Sequence, residues 1–286
     1  MAVRSLYHDF FEFLDGNHEY GIWEAYRRLY WNPHREFFQT YWASFDYFDS
    51  DQIARRVEKI RKGDYGHLRA LVFSRDPVAL AEEALQRSRA LAPLDPEPDV
   101  YLFVGFFSAD GKTLVVQGNP AIAIGLERFK DFRDLPLLVA HEYGHCLQRG
   151  FPKDSEAEEN ESLFSFVTSE GLAVLFTEAV YPEIPRYRHL FIPPERLRWC
   201  EENRDVLEEL AGPELGSKKL VSILFGPGDP EAGIPPRVGY YLAREMVGQC
   251  LAAQGAEEFG RNSQGFERVF RRFSQKHSKN FVKIEG

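Results

Sequence analysis

At 286 residues the chain has room for one large domain or two modest ones, with a sizeable core. Its 44% hydrophobic and 28% charged residues are an ordinary globular balance, which excludes disorder as the dominant state. The net charge of −9 argues against a general nucleic-acid binder, and the longest apolar runs fall short of a membrane span. At the N-terminus Asp9, Glu12 and Asp15 interrupt the apolar residues, so no signal-peptide core is present. Cys146, Cys200 and Cys250 are an odd number without a C-x-x-C pair, which speaks against a disulfide framework or a cysteine zinc site. The expected setting is the reducing cytoplasm, with neither nucleic acid nor membrane as partner.

The first part of the chain reads as helices. Leu6, Phe10, Phe13 and Leu14 follow helical spacing, as do Trp23, Tyr26, Tyr30 and, beyond Pro33, Phe37, Tyr41 and Phe45. These aromatics fit a core helix pair better than the wall of a substrate cleft. Further helices are expected over Asp51–Lys62 and Pro77–Leu91, the second with proline at its first position. A proline-rich acidic connector, Ala92–Pro98, ends this region.

Short extended runs follow. Val100–Phe107 and Thr113–Gln117 flank Ala109-Asp110-Gly111-Lys112 and read as a hairpin with a D-G turn. A third run, Ala121–Leu126, is either a free edge for an extended peptide or a strand buried on both faces.

The next stretch, LPLLVAHEYGHCLQRG, carries the chemistry. Asp134 is a plausible N-cap, Pro136 lies in the first turn and Gly150 is the stop. Four residues are just over one helical turn, so His141 and His145 project from one face and can share a metal ion. Glu142 lies about 100° round the axis, beside the metal, where a carboxylate can hold and deprotonate a water. This is the H-E-x-x-H arrangement of zinc hydrolases, and it implies one Zn²⁺ per chain. Cys146 is turned about 100° away from His145 and reads as a small buried hydrophobe.

Two histidines need a third ligand. Beyond Gly150 a second helix is expected, with Ser155 and Glu158 as a capping box and acids in its first turn. Glu170 lies within its apolar stretch and needs a partner, while Gly171 and Ala173 admit a close neighbouring helix. Glu170 is the preferred ligand; Glu178 and Glu161 are rivals.

H-E-Y-G-H followed by S-E-G-L-A on a downstream helix resembles the gluzincins, zinc peptidases with two histidines and a distal glutamate. The E-G-L-A form is similar to a bacterial family of predicted zinc-dependent proteases, a domain of unknown function. The resemblance spans roughly Tyr101–Val247. It implies an α+β, zincin-like fold, mostly helical, with a small mixed sheet packed beside the metal-binding helices. It also implies Zn²⁺ held by His141, His145 and Glu170, with Glu142 as base. Two departures stand out. Val174 occupies the position one turn after Glu170, where thermolysin-like relatives carry an acid, so Glu178 or a backbone carbonyl is left to orient a histidine. No G-A-M-E-N-like strand for gripping a free amine is present.

Past Pro182 the chain is expected to be helical, with a loop at Gly226–Pro236. An amide hydrolase needs a donor for the developing oxyanion. The resemblance includes a G-Y opening a late helix, which makes Tyr240 the first choice, with Arg237 and Tyr241 as alternates. The tail Gln275–Lys283 is basic and reads as a solvated terminus. The expected organisation is an N-terminal helical region, 1–95, and a zincin-like catalytic region, 96–286, together one compact unit. The expected activity is hydrolysis of a peptide bond in a peptide or protein substrate. A zinc hydrolase of another amide and a non-catalytic scaffold are the alternatives.

Overall fold

Four short strands, β1 (Val3–Ser5), β2 (Asp99–Phe103), β3 (Gly111–Val116) and β4 (Asn119–Gly125), form one mixed sheet in the order β1-β2-β4-β3. The structure, a computed structural model, describes residues 2–16, 18–19, 21–45, 49–149 and 162–253. It divides into two compact units, Met1–Gln86 with Leu94–Cys146, and Arg87–Pro93 with Leu147–Gly286. Helices dominate, and the fold class is α+β as expected.

Strand β1 runs parallel to β2, β2 parallel to β4, and β3 antiparallel to β4. The sheet therefore draws its first strand from before the expected boundary at residue 95. Ala121, Ile122, Ala123 and Ile124 are all buried, as an interior strand covered on both faces requires. That settles the third apolar run as an interior strand; among the described residues β3 is the edge strand beside it. The expected hairpin between the first two runs is absent. Its turn lies instead at Gln117 (φ 52°) and Gly118 (φ 79°), where two consecutive positive φ angles make the tight connection between β3 and β4. Asp110-Gly111 leads into β3, because Phe106 (φ 55°) and Phe107 (φ 60°) swing the chain away from β2.

Before the sheet come α1 (Tyr7–Asp15), α2 (Ile22–Tyr26), α3 (Arg35–Ala43), α4 (Ser50–Val57), α5 (Gly66–Ser74) and α6 (Pro77–Leu91). A π-helical turn at Arg27–Trp31 and a 3-10 turn at Asn32–His34 join α2 to α3 and absorb Pro33. Phe10, Tyr26, Tyr30, Phe38 and Tyr41 are fully buried, so the aromatic series is core. Phe37 stacks on Tyr101 with centroids 4.4 Å apart, and Tyr41 meets Phe103 edge-on at 4.6 Å. The Tyr30 hydroxyl accepts from Val104 N at 2.8 Å and donates to Val104 O at 3.1 Å, tying the helices to the end of β2.

The loop from Val104 to Asp110 is held at many points. Glu127 Oε1 accepts from Gly105 N at 2.7 Å and Phe107 N at 2.8 Å. Arg56 donates to Phe106 O at 2.9 Å, and the Tyr41 and Ser108 hydroxyls meet at 2.6 Å. Burial pushes the Glu127 carboxyl up to about 7, against the opposing pull of the Phe107 and Gly105 amides.

After the sheet come α7 (Leu135–Arg149), α8 (Leu163–Val180), α9 (Arg186–His189), α10 (Pro194–Glu202), α11 (Arg204–Ala211), α12 (Val221–Leu224) and α13 (Gly239–Ala253). In the second unit α8 packs on α13, and Leu163, Val167, Val174, Leu207, Leu224 and Leu242 share its core. A Cβ on Gly171 would stand 2.4 Å from Ala243 O, so the small residue expected to admit a neighbour admits α13. Arg244 grips both Glu178 oxygens at 2.9–3.2 Å. At 18 residues and mean hydropathy 1.4, α8 has the length and composition of a membrane-crossing helix, and 56% of it is buried within the protein. The expected stop at Gly150, the Ser155–Glu158 capping box, Glu161 and the tail Gln275–Lys283 lie outside the described residues.

Two stability predictions follow from the helix–sheet junction. Tyr30→Phe leaves the buried Val104 amide without its acceptor, and urea unfolding is expected to show a loss of about 1–3 kcal/mol. Glu127 binds its proton more tightly folded, at about 7, than at its ordinary value of 4.5. Protonation therefore stabilises the fold. The contribution is complete below about pH 4.5 and is lost as pH rises through about 7. Glu127→Gln keeps an oxygen for the same amides and is expected to flatten that decline, read from urea midpoints on either side of the window.

Candidate metal centre

Pro136 sits in the first turn of α7, where the missing N–H costs no hydrogen bond. Leu135, Leu137, Val139 and Ala140 are buried, so the helix enters its polar turn out of an apolar environment. There the four-residue spacing brings His141 and His145 together. Their Nε2 atoms lie 3.1 Å apart, and their ring planes are inclined at 84°. Two ring nitrogens that close can share a proton or a metal ion. His141 is 3% exposed and Glu142 6%, while His145 is half-buried.

Glu142 faces β3. Its Oε2 accepts from the Thr113 hydroxyl at 2.8 Å, and Thr113 Oγ1 also lies 3.1 Å from the Glu142 carbonyl oxygen. Its Oε1 lies against Gly111, where a Cβ would come within 2.7 Å. Side chains two apart on a strand share a face, so one side of β3 offers Glu142 a donor and a gap. Neither Gly111 nor Thr113 was identified from sequence. The only available signal was period-two alternation in a strand leading toward the H-E-x-x-H helix.

Glu170 is half-buried on α8. One ligand atom from each of His141, His145 and Glu170 lies within 4.8 Å of the others, a group able to hold a metal ion. Two imidazoles and a carboxylate are a donor set of catalytic zinc. Nitrogens on one tetrahedral zinc stand about 3.3 Å apart at the usual bond length, close to the histidine spacing here. The residues fit the ion.

The remaining candidates are placed as follows. Glu178, a rival ligand and a suggested partner for a ligand histidine, is engaged by Arg244. Val174 is fully buried in the core. Tyr240 is half-buried at the start of α13, with the Arg237 guanidinium 5.1 Å above its ring. Arg237 has a positive φ of 63°, a strained conformation for a residue with a side chain. Tyr241 is buried, with Arg186 over its ring at 5.3 Å. Cys146 and Cys200 are buried free thiols and Cys250 an exposed one. His189 is a satisfied core histidine, bonded to Thr177 Oγ1 at 3.0 Å and Ile184 O at 3.2 Å.

Comparison with curated proteins and with solved structures finds no match. Residues 109–260, which include β3, β4, α7, α8 and α13, match the family described as predicted Zn-dependent protease (DUF2268). The match covers more than half of the chain, which therefore belongs to that family of predicted Zn-dependent proteases.

Proposed function

We propose that this chain is a gluzincin-type zinc peptidase, in which His141, His145 and Glu170 hold one Zn²⁺ and Glu142 is the general base. The observation that carries the reading is the grouping of those three donors beside Glu142, a buried carboxylate on the helix that bears the two histidines. A purely structural metal site has no need of a base beside it.

When bound, zinc supplies Lewis acidity, polarising a carbonyl and acidifying water. Glu142 Oε1 takes a proton from the attacking water as the new C–O bond forms. The same oxygen returns that proton to the amide nitrogen as the C–N bond breaks. The Tyr240 hydroxyl, or the Arg237 guanidinium beside its ring, donates to the oxygen that gains charge at the carbonyl. The zincin-like fold and a peptide or protein substrate belong to the same reading. So does a reducing, cytoplasmic setting, supported by three free cysteines.

Metal analysis of the purified protein after equilibration with zinc is expected to find one zinc per chain. His141→Ala, His145→Ala and Glu170→Gln are expected to lose it, and Glu178→Gln to keep it. Glu142→Gln is expected to retain zinc while cleavage of a mixed peptide library falls by about 10²- to 10⁴-fold. Absence of zinc, or full activity in Glu142→Gln, overturns the reading. Zinc bound without peptide cleavage, but with cleavage of other amides, points to the wider hydrolase class.

A further inference from the structure

Glu142 is buried, and among the described residues its carboxylate accepts one side-chain hydrogen bond, from Thr113. Thr113 is itself only 4% exposed and lies on β3, the strand that forms one edge of the sheet. Its hydroxyl carries a single proton. Of the carboxylate oxygen at 2.8 Å and the backbone carbonyl at 3.1 Å, the first is nearer, and as a charged acceptor it is the stronger.

The two carboxylate oxygens are thereby made unequal. Oε2 is held by a donor, whereas Oε1 lies against Gly111, which offers it no side chain. We infer that Thr113 is a positioning residue for Glu142: its hydroxyl pins Oε2 and leaves Oε1 as the oxygen that exchanges the proton. This rests on Glu142 being the base. A glutamate without that bond has several staggered rotamers open to it. Thr113 reduces them to one, so that the carboxylate is in place before substrate arrives.

The test uses the zinc-loaded protein and the peptides that the wild type cleaves in a mixed library. Thr113→Val keeps the shape and strand preference of threonine and removes the hydroxyl. It is expected to lower kcat about 10- to 100-fold, the effect of a base displaced by about an ångström, with KM and zinc content unchanged. Thr113→Ser keeps the hydroxyl and is expected to recover most of kcat. In the Glu142→Gln background Thr113→Val is expected to cost nothing more, because both changes act on one carboxyl. Crystals of the metal-free proteins supply a readout independent of activity: the carboxylate should leave β3 in the valine variant and stay in the serine variant. Should Thr113→Val fail to fold, Thr113→Ala takes its place with the same expected outcomes.

Wild-type kcat in Thr113→Val, an equal loss in the valine and serine variants, or loss of zinc in the valine variant overturns the inference and leaves the base assignment standing. Activity in Glu142→Gln overturns the base assignment itself, so the two failures are distinguishable.

Discussion

One imidazole and a carboxylate on α7 are withdrawn from water, with a second imidazole half-buried beside them, next to a turn of leucine, valine and alanine, and the surrounding structure answers to that constraint. Taking an ionised carboxylate out of water costs several kcal/mol unless something bonds it. Glu142 is bonded from β3, by a hydroxyl, at a point where glycine leaves room for the second oxygen. The histidine rings answer it through one another, Nε2 to Nε2 at 3.1 Å. A helix of this composition with alanines at 141, 142 and 145 would be an ordinary core helix.

Holding β3 there places demands on the first unit. Among the described residues the strand pairs with β4 alone, and a two-residue turn keeps its register. It is entered through Phe106 and Phe107, whose positive φ angles each cost on the order of 1 kcal/mol or more. Such strain persists only where the surroundings over-determine it. Here Glu127 takes the amides of Gly105 and Phe107, Arg56 takes the carbonyl of Phe106, and Tyr41 takes the hydroxyl of Ser108. Tyr41 and Tyr30 come from the aromatic core of the N-terminal region. That core thus does more than fill volume: it fixes the loop from which the strand beside Glu142 departs.

What could be read from sequence divides along the same lines. The helix at Pro77–Leu91 was readable to the residue, because proline at its first position is a local signal. The H-E-x-x-H turn was readable because helical geometry alone puts residues four apart on one face. Strand pairing was not. The runs at Val100–Phe107 and Ala121–Leu126 are apolar throughout, and a run without alternation does not encode its neighbours. An Asp-Gly pair, the stronger turn signal, drew the hairpin to residues 110–111, while Gln117-Gly118 makes it. Thr113 escaped notice for a related reason. A lone threonine in a strand carries no motif, and its meaning depends on which helix packs over it.

The partner chosen for Glu142 also separates it from the carboxylates that are paired with cations. Glu178 is clamped by Arg244; Glu245 meets Arg186, Arg204 and Arg244; Asp15 meets Lys62 and Arg69. A cationic partner favours the charged form of a carboxylate and weakens it as a base. A neutral hydroxyl orients the group without setting a full positive charge against it. On the proposed reading Glu142 must accept a proton and give it back, and a donor that orients it without a cationic partner suits that exchange. The Thr113 hydroxyl is such a donor.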